Sequence, residues 1–289
     1  MASEEIEMKQ IVVISGKGGT GKTVLTGSLA VLSQNKVMAD CDVDAADLHL
    51  LLKPEIRERH EFRSGMTAKI NRDLCEGCGE CIKICRFNAI GEDFRVDPGS
   101  CEGCTVCSFV CPAGAITMEE NVSGEWFISE TKYGPMVHAR LGIAEENSGK
   151  LVSLVRQEAG RIADEAHKDY VIIDGPPGIG CPVIASLANV DLALIVTEPT
   201  LSGIHDMERI TSVSKHFNVP TKVVINKYDL NIRNSEEIER ISDDKGIEVL
   251  ARLPFSQKVS ESIVQGIPLV EFCNDEIVRD IAHLWEKIR

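Results

Sequence analysis

Residues Gly16-Lys17-Gly18-Gly19-Thr20-Gly21-Lys22-Thr23 decide how the rest of this chain is read. They follow the apolar run Ile11-Val12-Val13-Ile14 and open into Val24-Leu25-Thr26-Gly27-Ser28-Leu29-Ala30, which reads as a helix. Strand, glycine loop and helix in that order give the pattern G-x-x-x-x-G-K-[ST] the setting a phosphate site needs. The glycines let the backbone curl with its N–H groups pointing inward at a helix N-terminus, where an anion is favoured. Gly16, Gly18, Gly19, Thr20 and Gly21 supply that cradle. Lys22 is placed to reach the β- and γ-phosphates, and the Thr23 hydroxyl to ligate Mg²⁺.

Outward from the loop, strands and helices alternate. Lys36-Val37-Met38-Ala39 is a second strand, ending in Asp40-Cys41-Asp42-Val43-Asp44-Ala45-Ala46-Asp47. Crowding four acids at a strand end is costly unless a cation or a reacting water shares the space. Asp44 and Asp47 read as caps of a helix starting near Leu48, with Leu48, Leu50, Leu51 and Leu52 buried and Pro54 as the stop. Further on, Glu145-Glu146-Asn147-Ser148-Gly149 leads into a helix with Leu151, Leu154, Val155, Ile162 and Ala166 on one face. Tyr170-Val171-Ile172-Ile173 is a buried strand ending in Asp174, the expected Mg²⁺-holding acid, followed by Gly175-Pro176-Pro177-Gly178. Two more strands end at Glu198-Pro199-Thr200 and at Asn226-Lys227-Tyr228-Asp229, and a last one at Leu253-Pro254-Phe255. This alternation predicts an α/β fold: a doubly wound, mostly parallel sheet with nucleotide at the strands' C-terminal edge.

Lys17, a second lysine early in the loop, makes it resemble the deviant Walker A loop of the MinD/Mrp/ParA/nitrogenase-iron-protein ATPases. The resemblance covers roughly 1–70 and 120–289. It implies a nucleotide-sandwich dimer, a homodimer or a heterodimer with a related ATPase. In such a dimer Lys17 reaches the partner's phosphates and adds positive charge where the transition state is negative. It also implies that an aspartate after the second strand orients the attacking water; Asp42 is the first candidate by register and Asp40 the second. Gly178 N–H then senses the γ-phosphate, Asn226 bonds the base and Pro254 packs beside it. Asn226-Lys227-Tyr228-Asp229 also matches the N-K-x-D guanine reader; ATP is favoured because the Lys17 loop goes with ATPases.

Eleven cysteines are present, eight of them between Cys75 and Cys111. Cys75-x-x-Cys78-x-x-Cys81-x-x-x-Cys85 is repeated by Cys101-x-x-Cys104-x-x-Cys107-x-x-x-Cys111-Pro112, the halves joined through the turn signal Asp97-Pro98-Gly99. Clustering of this kind without a signal stretch speaks for metal rather than disulfides. Structural zinc needs four ligands per ion, typically two knuckles set well apart and often including histidine. Two complete runs with no histidine inside fit iron–sulfur better. The segment resembles a bacterial-type two-cluster ferredoxin, apart from Arg86 standing where a proline would follow the first run. The resemblance implies two [4Fe–4S] clusters with crossed ligation: Cys75, Cys78, Cys81 and Cys111 for one, Cys101, Cys104, Cys107 and Cys85 for the other. Acids outnumber bases across 71–120, so low potentials are expected. The expected organisation is 1–68 and 121–289 as the ATPase domain, interrupted by a small α+β ferredoxin-like module at 69–120. Of the remaining thiols, Cys181 reads as a buried small side chain, and His138 as an ordinary satisfied histidine.

The totals set the partners. The 289 residues carry a net charge of −14 with no local basic patch, so neither nucleic acid nor an anionic membrane is expected as a partner. The 43% apolar content supports a full core without a run long enough to span a bilayer. The start Met1-Ala2-Ser3-Glu4-Glu5-Ile6-Glu7 lacks an apolar signal stretch, and a cytoplasmic location is expected. The terminal helix is amphipathic but of mixed charge, unlike a basic membrane anchor. The functional expectation is an ATPase whose nucleotide state governs electron delivery by two clusters to a redox partner protein. The alternative is an Mrp-type carrier delivering clusters to an apo iron–sulfur protein. The resembled carriers use a CxxC near the C-terminus, whereas only Cys273 lies there. A ParA-like positioning role is opposed by the acidic charge, and no cysteine–histidine pair of a glutaminase is recognisable.

Overall fold

The computed structural model describes residues 8–142 and 148–289. The expectations placed on the acidic start and on Glu145, Glu146 and Asn147 lie outside the described residues. Strands β1 (Lys9–Ser15), β2 (Lys36–Asp40), β3 (Glu55–Ile70), β4 (Ile116–Thr131), β5 (Gly134–Leu141), β6 (Tyr170–Pro177), β7 (Leu192–Thr197), β8 (Thr221–Asn226) and β9 (Val249–Leu253) form one sheet in the order β3-β4-β5-β2-β6-β1-β7-β8-β9. Every pairing from β5 across to β9 is parallel. β1 is central, with β6 on one side and β7 on the other. The loop that follows it therefore opens where the chain's winding reverses, the crevice that open α/β sheets use for ligands.

Ile11, Val12, Val13 and Ile14 are fully buried, as an unbroken apolar run in a strand covered on both faces requires. Ile11 and Val13 join Leu25 and Leu29 of the helix Lys22–Leu32, and Ile281, Leu284 and Trp285 of the helix Glu276–Ile288. The terminal helix buries Ile277, Val278, Ile281, Trp285 and Ile288, the face its periodicity predicts. The helix Ser148–Glu165 is rotated from its expected face. It buries Leu151, Val152, Val155, Ala159 and Ala163, because its packing on β2, β6 and the helix Cys181–Leu187 favours small alanines at the contact.

Two strands were hidden in the sequence. Residues 55–70, polar and weakly patterned, form β3; its buried positions carry Phe62, Ser64 and Ala68, so two of them lack the large apolar side chain that reveals a period of two. β5 begins at the Gly134-Pro135 turn and lies parallel to β2, pairing Asp40 with His138. Leu50 is a further correction: it is exposed, while Leu48, Leu51 and Leu52 are buried. Cys181 is exposed too. Val183 and Leu187 take the inward face of its short helix and leave the first residue outside.

The chain divides into two compact units: Met1–Arg59, Trp126–Arg140 and Ser148–Arg289 in one, His60–Glu125 and Leu141–Asn147 in the other. The second takes in 69–120 together with parts of β3 and β4, through which the chain passes between units. Its own core is small: Ala68, Cys81, Ile90, Cys107 and Ile116. The sequence repeat shows there, since Cys81 and Cys107 sit in equivalent short helices (Glu80–Ile84 and Val106–Val110) and Ile90 and Ile116 follow each at the same spacing. Gly79 and Thr105 precede these helices in the left-handed region.

Candidate functional site

Beside the phosphate loop lies a cavity of about 470 Å³, lined among others by Gly18 to Thr23, Asp42, Asn226, Pro254 and Phe255. That volume is in the range of small-ligand sites. Its floor is an ion-pair cluster. Asp174, wholly buried at the end of β6, receives Lys22 Nζ at 3.0 Å, Thr23 Oγ1 at 2.8 Å and Thr26 Oγ1 at 2.9 Å. Lys22 also stands 3.4 Å from Asp42. Burial alone would lower the Lys22 pKa, but Asp174, Asp42 and Asp40 outweigh it and hold the ammonium's pKa above its usual value. Thr26 was not foreseen. The signal was available: it lies three residues after Thr23 on the same helix, hence on the same face.

Asp40 is paired in register with Asp174 on the neighbouring strand. Burial, then the Asp174 charge, raise its pKa well above the ordinary carboxylate range. One of its oxygens accepts from Asp42 N–H at 3.2 Å; the other has no hydrogen-bond partner among the described residues. Asp42 is raised in the same direction, chiefly by burial. Asp47 stands at the start of the helix Leu48–Leu52 without a side-chain cap bond, and it lines the cavity instead, as does Leu50.

The loop lysine Lys17 points to its own chain. Its Nζ lies 3.3 Å from Thr200 Oγ1, 3.3 Å from Ser202 Oγ and 3.5 Å from Glu198. Glu198 is shared with Lys227. Asn226 braces the loop rather than standing free: its amide donates to Thr20 O at 2.8 Å and its oxygen accepts from Lys227 N–H at 3.0 Å. Gly21, at φ +91°, is required here, because a Cβ would fall 2.2 Å from the Asn226 amide nitrogen. Gly178 N–H donates to Ser15 O at 2.8 Å, so contact with a phosphate requires that bond to open. Asp229, the residue that would read guanine, accepts the Phe255 N–H at 2.7 Å and does not line the cavity.

The eight clustered thiols surround two separate spaces in the second unit. Cys75, Cys78, Cys81 and Cys111 line a narrow one of about 10 Å³. Cys85, Cys101, Cys104 and Cys107 line one of about 350 Å³. Each run thus contributes three cysteines to one space and its fourth to the other. Among the described residues no three His, Cys, Asp or Glu side chains converge closely enough to hold a single metal ion; the thiols ring a volume instead. Burial, with the neighbouring cysteines' charge, raises the Cys81 and Cys107 pKa values. Ala115 N–H donates to Cys111 Sγ at 3.3 Å, the kind of amide–sulfur bond that stabilises a charged thiolate. As donor sets, both groups are soft and thiol-only, and fit an iron–sulfur group. Thr23 and Asp174 are hard oxygen donors 2.8 Å apart and fit Mg²⁺.

A parallel sheet with a glycine loop at its switch point, a buried lysine on that loop and an acid at the adjacent strand end defines a P-loop nucleotide-binding domain. Residues 11–269 match the CobQ/CobB/MinD/ParA nucleotide binding domain, and the chain belongs to that family. It is 35% identical over 284 residues to an uncharacterized protein of Methanocaldococcus jannaschii, covering 97% of this chain and 96% of the other. An iron-sulfur cluster carrier protein of the same organism is 23% identical over 301 residues, covering 96% and 84%. The fold is also that of the septum site-determining protein MinD complexed with Mg-ADP from Pyrococcus horikoshii, at a TM-score of 0.61 and 18% identity over 98% of this chain and 96% of that one. No helix among the described residues is long and apolar enough to cross a membrane.

Proposed function

We propose that this protein is a dimeric ATPase whose nucleotide state governs electron transfer through two [4Fe–4S] clusters. One observation carries the reading: the crossed grouping of the eight thiols around two spaces, in a chain whose other unit holds a phosphate loop. Crossed ligation is what two complete runs give when each fourth cysteine opens away from its own loop. When bound, the clusters supply one-electron storage at low potential. The chain's own part is to hold them with thiolates, to bond their sulfur through backbone amides, and to surround them with acidic residues.

ATP is favoured over GTP because Asp229 is committed to Phe255 N–H. In the nucleotide unit, Lys22 leaves the acids for the phosphates, and Thr23 and Asp174 take the Mg²⁺. Lys17 exchanges its contacts with Glu198, Thr200 and Ser202 for the phosphates of a partner subunit, a related ATPase or a second copy. Asp42 or Asp40 orients the water. The coupling rests on connectivity: Asp40 and Asp42 lead through the helix Leu48–Leu52 into β3, which runs into the cysteine unit, and β5 returns beside β2.

Anaerobic purification tests this. The expected content is about eight iron and eight sulfide per chain, with EPR signals of reduced clusters and reduction potentials that differ with and without ATP. Zinc in place of iron overturns the cluster reading; potentials identical in all nucleotide states overturn the coupling.

A further inference from the structure

Glu198 stands where three parts of the nucleotide unit meet. One of its carboxylate oxygens faces Lys17 Nζ at 3.5 Å, and the other accepts from Lys227 Nζ. Lys17 comes from the phosphate loop, Glu198 follows β7 and Lys227 follows β8. The acid is held by a rigid turn. Thr200 N–H donates to Glu198 O at 2.7 Å, the Asn234 amide donates to Pro199 O at 3.0 Å, and the Thr200 hydroxyl caps the helix Leu201–His216 by accepting Gly203 N–H at 3.0 Å. A Cβ on Gly203 would fall 2.3 Å from Glu198 O, so the turn packs directly on that helix. The Lys17 backbone is held as well: a Cβ on Gly16 would fall 2.1 Å from Asp206 Cβ, and Lys17 O accepts the Ser15 hydroxyl at 2.8 Å. What is free to turn is the Lys17 side chain, 34% exposed and outside the cavity that Gly18 to Thr23 line.

We propose that Glu198 is a positioning residue that keeps Lys17 on its own chain, and so sets the protein concentration at which ATP closes two copies of this chain into a dimer. The proposal rests on the dimer reading above and deepens it by naming the residue that opposes closure. To reach a partner's phosphates, the Lys17 ammonium leaves one carboxylate and two hydroxyls, and the charged acceptor holds it most strongly. Lys227 keeps Glu198 paired once Lys17 has gone, so no carboxylate is left without a cation. A partly exposed ion pair of this kind shifts an equilibrium by about threefold. Closure of two copies releases two such pairs, which gives about tenfold for the dimer.

Sedimentation velocity over a dilution series tests this on the full-length protein, purified anaerobically, with Mg²⁺ and the non-hydrolysable analogue AMPPNP. Glu198→Gln, which keeps the shape and an accepting oxygen, is expected to lower the dimerisation midpoint about tenfold. A merely damaged fold does not produce such a gain. Glu237→Gln, an exposed acid paired with Arg240 on the helix Ile232–Asp244, removes the same charge elsewhere and is expected to change the midpoint by less than twofold. In a Lys17→Ala background, Glu198→Gln is expected to bring no gain, because the lysine it releases is absent. An unchanged or raised midpoint in Glu198→Gln overturns the proposal, and so does an equal gain in Glu237→Gln, which assigns the effect to net charge. The same gain in the Lys17→Ala background overturns it in favour of Lys227. Unmodified protein and Glu198→Gln that both stay monomeric at every concentration overturn the dimer reading and the proposal with it. A dimer of the unmodified protein whose midpoint Glu198→Gln leaves in place overturns the proposal alone.

Discussion

The nucleotide unit and the cysteine unit hold their functional groups in opposite ways. Beside the phosphate loop, the chain satisfies itself: Asp174 takes three internal donors, Lys22 stands among three acids, Lys17 rests on Glu198, Thr200 and Ser202, and Asn226 braces Thr20. A core spread over the central strands and four helices supports that arrangement. The cysteine unit's core cluster joins Ala68, Ile90 and Ile116 to two thiols, Cys81 and Cys107. On the proposed reading its stability leans on the clusters the thiols would hold, as in small domains whose ligand binding is folding free energy. The first region pairs its polar groups within the chain, while the second sets its thiols around two spaces.

Breaking the first arrangement gives the largest expected effect. Lys22→Ala removes both the phosphate contact and the charge that compensates a wholly buried Asp174. ATP hydrolysis is expected to fall about a thousandfold and the unfolding free energy by about 3 kcal/mol, measured by phosphate release and urea titration. A variant that keeps full stability would show that the acids protonate and do not need the lysine.

Chelation sharpens the contrast from the other side. Anaerobic removal of iron is expected to raise amide exchange more than tenfold across 60–125, at a cost of over 1.4 kcal/mol, while β1, β6 and β7 keep their protection. Equal loosening of both units would mean that they fold as one.

The smallest effect is one of pH. Burial, then the His49 charge, push His138 down to about 4, and its Nε2 lies 2.8 Å from Ser129 Oγ. The unfolded chain takes up that proton near pH 6.5 and the folded one near 4, so the unfolded state binds more protons in between. Stability therefore falls as pH drops through that window, by at most about 1.4 kcal/mol per unit. His138→Gln is expected to flatten that part of the curve in thermal melts at pH 7, 6 and 5. An unchanged slope would assign the acid sensitivity to another group.

Much of both sites was legible, for reasons tied to spacing. The phosphate loop announces itself because glycines, lysine and threonine must stand at fixed offsets between a strand and a helix, and the thiol runs because three ligands to one group need a tight loop. Asp174 followed from its place at the end of an apolar strand. β3 and β5 were not legible, since serine, alanine and a turn masked their period. The exposure of Cys181 and Leu50 depends on how short helices are turned, which a few residues cannot specify.

By itself, then, the sequence determined the elements of chemistry: a phosphate-binding loop, an acid to pair with it, and two four-cysteine runs, because each is a local pattern of backbone and side-chain reach. Only the tertiary structure decided their pairing. It set Lys22 against Asp174 from 152 positions away, tied Asp229 to Phe255 and Lys17 to Glu198, and gave each cysteine run a member of the other. Such contacts arise from parallel strands laid side by side and from the repeat folding back on itself, and no stretch of the chain encodes them alone.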